Sequence, residues 1–172
     1  SRGGVMEVRW RSGSRFNNIR AEDAYNELED IKQDQGGVIT PAAVVERARD
    51  DTNVLHDGFE WNNDVAADKY RLNEARNMIR SIHVIREDKP VEPGVPIYHN
   101  VVYSNTSEES KQSKVYMSLE DIMADPIARD DLLKRAINEA IAYRKKYYLL
   151  SEISQISEAI DTTIADLDLE IK

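Results

Sequence analysis

A stripe of apolar residues in the C-terminal third constrains the fold of this chain more than any other feature. From Leu133 to Leu167, apolar side chains recur every three or four residues, which is the spacing of one face of an α-helix. A continuous helix over residues 126–168 would be about 60 Å long, more than a body of this size can cover. We therefore expect the stripe to pack against a partner helix, in the same chain or in a second copy.

Three shorter helices are predicted upstream of this stripe. Residues 21–37 show an apolar face at helical spacing and end in two glycines. A second, short helix begins after Thr40, a good N-cap, with Pro41 at the first helical position. The third covers residues 64–81 and has a well-defined apolar face.

The segment between the third helix and the C-terminal stripe is rich in β-branched residues. Pro90, Pro93 and Pro96 exclude a helix there, so residues 82–117 are predicted to form a small antiparallel β meander with two long loops. The predicted fold class is mainly α with this small meander (α+β), followed by a long C-terminal helix.

The order of these elements resembles a winged helix-turn-helix. In that interpretation residues 41–49 form the supporting helix, residues 64–81 the recognition helix and residues 82–117 the wing. The connection through residues 50–63 is much longer than the tight turn of that motif. It contains three bulky residues, which we expect to be buried anchors of an ordered loop: Leu55, Phe59 and Trp61.

Charge is unevenly distributed along the chain. The formal net charge is -9, yet residues 1–20 contain five arginines and one acid, and the last 22 residues contain six acids and one lysine. We therefore divide the chain into a basic N-terminal arm (1–20), a helical body with the meander (21–117) and a C-terminal helical oligomerisation segment (118–172).

One cationic stripe lies on the third predicted helix, where Lys69, Asn73, Arg76 and Arg80 fall at i, i+4, i+7 and i+11. Such a stripe can lie along phosphates or reach base edges in the major groove. The alternative is a solvated face with ion pairs to Asp68 or Glu74. With the arm included, the predicted nucleic-acid-binding residues are Arg9, Arg11, Arg15, Lys69, Asn73, Arg76 and Arg80.

Catalytic and metal-binding signatures are absent from the sequence. There is no cysteine, which excludes disulfides and thiolate zinc sites, and no nucleophile-elbow, phosphate-loop or dinucleotide motif occurs. His56, Asp57 and Glu60 lie close together, but acids near a histidine in a turn are common. We expect no enzyme activity, metal or cofactor. Without a long apolar window or an N-terminal apolar core, we also expect no membrane partner and no secretory signal.

Two stretches carry a resemblance to a group of small bacteriophage and prophage proteins: GGVITPAAVVERARD, and LHDGFEWNNDVAADKYRLNEARNMIRSI. SGSRF and AYRKKYYLLSEI are also similar, so the resemblance spans most of residues 12–160. That group has no assigned activity. The resemblance therefore implies a phage origin, in the host cytoplasm or the virion, and no mechanism. The matching positions are Leu55, His56, Phe59, Glu60, Trp61, Tyr70, Arg71, Ala75, Arg76 and Arg80.

These features favour one function and leave others open. The favoured hypothesis is a non-enzymatic, phage-encoded, DNA-associated or regulatory module that binds double-stranded DNA and oligomerises with itself through its C-terminal helix. An alternative is a protein-interaction or structural virion component that binds another phage or host protein and reads no nucleic acid. A third is a decoy whose acidic surface occupies a host DNA-binding protein.

Overall fold

Helices account for most of the chain, and short antiparallel strands join them, as expected of an α+β fold. The computed structural model describes residues 6–62, 65–86, 94–103 and 114–167. In chain order the elements are β1 (Met6–Trp10), α1 (Ala21–Asp34), α2 (Pro41–Ala48), α3 (Val65–Ser81), β2 (Ile82–Arg86), β3 (Val95–Pro96), β4 (Tyr98–Val102), β5 (Lys114–Ser118), α4 (Leu119–Ala124), α5 (Pro126–Lys146) and α6 (Ser154–Asp166). Single 3₁₀ turns lie at His56–Gly58 and Ser151–Ile153.

Local signals explain the ends of the first two helices. Gly36 and Gly37 follow α1 with φ angles of 73° and 98°, in the left-handed region that favours glycine. At the start of α2, the Thr40 hydroxyl accepts a hydrogen bond from the Ala43 amide at 3.2 Å, and Pro41 occupies the first turn. Both predicted boundaries are confirmed. Asn63, a residue type that suits the N-cap position before the third predicted helix, lies outside the described residues.

The first sheet combines the N-terminal strand β1 with the two strands that follow α3. It has the order β1–β2–β3 and is antiparallel throughout. Trp10 pairs with Ile82 in its register. β4 and β5 form a separate two-stranded sheet. The antiparallel pairing predicted for residues 82–117 is confirmed, but the strands of this segment are divided between two sheets, and one of these also contains the N-terminal strand. The two long loops predicted within it fall largely on residues 87–93 and 104–113, outside the described residues.

The predicted basic arm is part of the body from Met6 onwards. The Trp10 side chain packs against the main core, and its Nε1 donates to the Ile19 carbonyl at 2.7 Å. Phe16 and Ile19 are buried in the same core. These apolar residues alternate with the arginines of this segment and pack it against the body, so residues 6–20 are in contact with the main core.

A single main core joins α1, α2, α3 and the loop before α3. Leu55 and Phe59 are buried in it, and Trp61 is partly buried against it, which confirms that this loop is anchored. A smaller cluster lies beneath α4 and α5. Two backbone hydrogen bonds of 2.8 Å between Ile39 and Tyr116 connect the α1–α2 turn to β5.

The resemblance to a winged helix-turn-helix holds for the order of α1, α2, α3, β2 and β3, and α2 packs against α3. It fails in two respects. The connection from α2 to α3 is a long anchored loop with its own 3₁₀ turn. The sheet also contains β1, a strand that precedes α1 in the chain. The second sheet and α4 to α6 are additions to that plan.

The C-terminal region is helical but is not one long helix. α5 ends at Lys146, Leu150 adopts an extended backbone with φ -86° and ψ 97°, and α6 begins at Ser154. The predicted continuous helix is therefore wrong. A physical reason lies in the last turn of α5, which consists of Arg144, Lys145 and Lys146, because cations stabilise the negative end of the helix dipole.

The first half of α5 fixes this region to the body. The Asp131 carboxylate accepts a hydrogen bond from the Val102 amide of β4 at 3.1 Å. Arg135 donates to both Asp131 and the Asn100 carbonyl. No helix among the described residues is long and apolar enough to cross a membrane.

Candidate nucleic-acid interface

The predicted cationic stripe is an exposed face of α3. Lys69, Asn73, Arg76 and Arg80 are all exposed, whereas the opposite face of the helix carries buried core residues such as Met78. From Lys69 to Arg80 the stripe extends about 16 Å along the helix axis. The structure therefore brings these four residues together on one accessible surface, which we call the α3 stripe.

Amide groups, and no carboxylate of the described residues, partner the two arginines of the α3 stripe. Arg76 Nη1 donates to Asn73 Oδ1 at 2.8 Å, and Arg80 Nη2 donates to Asn77 Oδ1 at 2.8 Å. Arg80 Nε also donates to the Arg76 carbonyl at 3.3 Å. An amide orients a guanidinium without neutralising it, so the positive charge of this face stays available to an anion.

The two acids that were the alternative partners of this stripe are occupied elsewhere. Asp68 lies 3.0 Å from Arg71 Nη1 and 3.7 Å from Arg49 Nη2. Glu74 is buried and forms an ion pair with Arg15. The face is solvated, as the alternative stated, but its ion pairs with Asp68 or Glu74 do not occur among the described contacts.

The three predicted arginines before α1 differ in their surroundings. Arg11 is exposed, and its amide donates to the Ser81 carbonyl at 2.9 Å, which places its backbone beside the end of α3 that carries Arg80. Arg9 Nη2 lies 2.8 Å from the Glu7 carboxylate, and this hydrogen bond lowers the pKa of Glu7. Its charge is therefore partly neutralised.

Arg15 is held away from the α3 stripe. Besides its ion pair with Glu74, it donates to the Tyr70 hydroxyl at 3.2 Å. It borders an open cleft of about 570 Å³ that is also lined by two exposed acids, Asp57 and Glu60. A cleft with these carboxylates repels phosphate, so Arg15 contributes to the orientation of α3 more than to an anion site.

Arg71 is a key residue to which the sequence assigned no role, although it is among the positions of the resemblance. Only 4% of its side chain is exposed. Its Nε donates to the Glu60 carbonyl at 2.9 Å and its Nη2 to the Asn62 carbonyl at 3.4 Å. Its guanidinium carbon lies 5.0 Å from the centre of the Trp61 ring. Arg71 thus ties the anchored loop to α3 and fixes the face that α3 presents.

His56 supports the same loop. Its ring stacks on Trp61 with centres 5.0 Å apart and planes 10° apart, and its Nδ1 lies 2.8 Å from the Ala48 carbonyl. Trp61 Nε1 in turn donates to the His56 carbonyl at 2.9 Å. These contacts give His56 a packing role. Within the described ranges, no three acids or histidines lie together as a metal site would require.

The interface described above rests on geometry alone. Its cations lie on α3 and in the segment between β1 and α1. They are available to an anion because the nearby acids are paired with other arginines. Comparison of this chain with protein-family models, with curated proteins and with solved structures finds no match.

Proposed function

We propose that this protein is a non-enzymatic, DNA-associated module that places the α3 stripe against double-stranded DNA. The observation that supports this proposal is that Arg76 and Arg80 are exposed and are oriented by asparagine side chains. The phage origin implied by the sequence resemblance is part of the same proposal, and it would place the protein in the host cytoplasm or the virion.

The residue types of the stripe suit both kinds of DNA contact. Arginine donates in a fork that fits phosphate oxygens or the O6 and N7 atoms of guanine, and asparagine pairs with adenine through the same groove. Lysine supplies a point charge for phosphate. An α-helix with its side chains is about 10–12 Å in diameter, so an exposed helix face can enter a major groove about 12 Å wide.

The acidic total of the chain requires that the contact surface be local. DNA repels a protein of net charge -9 unless its anions lie away from the contact or are neutralised. Close to the stripe, Asp68 is paired with Arg71 and Arg49, and Glu74 is paired with Arg15. This pairing is what a local basic surface on an acidic protein needs.

Salt dependence provides the test. Each phosphate that a cation neutralises contributes about 0.9 to the slope of log K against log salt on duplex DNA. Replacing Arg76 and Arg80 together with Gln should therefore reduce that slope by about two and weaken binding most at low salt. Fluorescence anisotropy of a labelled duplex, titrated at several salt concentrations, measures both quantities.

A matched control separates the α3 stripe from overall charge. Arg129 and Lys134 are exposed on α5, and replacing both with Gln changes the net charge by the same amount. We expect the slope of this control to equal that of the wild type. Equal loss in both double variants, or no duplex binding at about 50 mM salt, would remove the DNA-associated function.

A second candidate function is a protein-interaction or structural virion component. Exposed apolar side chains at the turn between α5 and α6 favour it, since Tyr148 and Leu149 are 73% and 79% exposed. Under this proposal the chain binds another phage or host protein and no nucleic acid. Affinity capture from infected cells, with and without nuclease, separates protein partners from those held through DNA.

A further inference from the structure

The last helix, α6, has too little support from its own chain. None of its 13 residues is buried, although its apolar residues recur at helical spacing from Ile153 to Leu167. Isolated helices shorter than about 12–15 residues are marginal in water, and most owe their stability to packing of an apolar face. The contact of α6 with α5 leaves Ile156 and Leu167 exposed.

The turn before α6 extends this uncovered apolar surface. Tyr148, Leu149 and Leu150 are consecutive, and each is at least half exposed. Single exposed apolar residues are normal on a protein surface, whereas a contiguous patch marks an interaction site. Ile156 on α6 and Leu167 just after it are also exposed. We call these two residues, together with Tyr148, Leu149 and Leu150, the hairpin patch.

Opposite charges flank the hairpin patch. The last turn of α5 carries Arg144, Lys145 and Lys146. The segment 151–167 contains four acids and no basic residue. Among the described residues, one ion pair joins the two helices, between Arg144 and Asp161. The other exposed charges beside the patch are basic in the last turn of α5, at Lys145 and Lys146, and acidic on α6, at Glu158 and Asp166.

A surface with a basic cluster, an acidic cluster and an apolar patch between them is complementary to a copy of itself related by a two-fold axis. We propose that two copies of this chain associate through the hairpin patch, with α6 of each copy packed against the basic end of α5 of the other. The result is an antiparallel four-helix arrangement. This surface is separate from the α3 stripe, and its function does not depend on DNA binding.

The body does not compete for this surface. α5 is fixed to β4 through Asp131 and Arg135, in the first half of the helix. Lys145, Lys146 and the turn that follows are exposed. A second copy can therefore reach the hairpin patch without displacing contacts of the described core.

Charge exchange between two variants tests the proposal. One variant carries Lys145→Glu and Lys146→Glu, and the other carries Glu158→Lys and Asp166→Lys. In a homodimer of either variant, like charges would face each other at both symmetric contacts, which should raise Kd at least about tenfold. In an equimolar mixture both contacts pair opposite charges again, so a heterodimer of near wild-type affinity should form. Sedimentation equilibrium over micromolar concentrations measures the masses.

Three outcomes would overturn the proposal. The wild-type protein could stay monomeric over that range, either charge-reversed variant alone could dimerise as well as the wild type, or the mixture of the two could fail to restore association. The variant Arg129→Glu with Lys134→Glu reverses two cations on the first half of α5 and should dimerise normally. Circular dichroism establishes that each variant is folded. Capture of a different protein by a monomeric wild type would assign the hairpin patch to that partner instead.

Discussion

Replacing Arg71 with Ala is expected to lower the free energy of unfolding by about 3 kcal/mol. Hydrogen bonds from a charged donor contribute about 1.5–3 kcal/mol each when buried, and Arg71 donates to the carbonyls of Glu60 and Asn62. Its third partner, Asp68, is 69% exposed and adds little. Without the guanidinium, the two carbonyls lose their charged donor and Trp61 loses its cationic neighbour.

Urea denaturation of three variants resolves the origin of this effect. Arg71→Lys keeps the charge but loses the planar fork that reaches two carbonyls, so it should recover less than half of the lost stability. Arg76→Ala, on the exposed face of the same helix, should stay within about 0.5 kcal/mol of the wild type. A stable Arg71→Ala, or an Arg71→Lys equal to the wild type, would contradict the role given to the guanidinium.

Replacing Trp61 with Ala is expected to cost about 3 kcal/mol, the lower end of the range for large aromatics because the ring is only partly buried. The ring stacks on His56 and lies 5.7 Å from Phe59, between ring centres. It also receives the guanidinium of Arg71 on its face. For a chain of this length, a loss of 3 kcal/mol corresponds to a drop in Tm of roughly 6–12 °C.

Trp61→Phe provides the matched variant. Phenylalanine keeps the aromatic contacts but loses the hydrogen bond from Nε1 to the His56 carbonyl, which should cost about 1 kcal/mol. Because Arg71 and Trp61 touch, the double variant should lose less than the sum of the two single losses. An unchanged Tm for Trp61→Ala would show that the loop is not anchored through this ring.

Local sequence signals were sufficient where a boundary depends on neighbouring residues. Thr40 and Pro41 define the start of α2, and Gly36 with Gly37 defines the end of α1, because capping and left-handed backbone are properties of a few adjacent residues. The periodicity of residues 64–81 likewise predicted α3 and the common face of its cations.

Long-range pairing was not visible in the sequence. The first strand shows the alternation of apolar and polar residues that is typical of a strand, at Met6, Val8 and Trp10. No neighbouring residue indicates that its partner is β2. The break before α6 had a signal, since three basic residues in a row are typical of a helix C-terminus. The apolar spacing continued through it and concealed the boundary.

The availability of the α3 stripe depended on partners far away in sequence. Helical spacing predicts that Lys69, Arg76 and Arg80 share a face, yet whether that face is neutralised depends on where Asp68 and Glu74 point. Glu74 is taken by Arg15, 59 residues earlier in the chain, which no local pattern indicates. Arg71 could have been noticed, because it lies on the same side of α3 as the buried Ala75 and Met78.

The pairing of β1 with β2 has a consequence for how the chain folds during synthesis. Trp10 and its partner Ile82 are separated by 72 positions, so β1 leaves the ribosome long before the strand it needs. Closing a loop of that length costs about 4 kcal/mol of chain entropy, and contacts of such separation slow folding. Until Ile82–Arg86 has emerged, Phe16 and Ile19 must remain without the completed core, and the nascent chain exposes apolar surface that chaperones recognise.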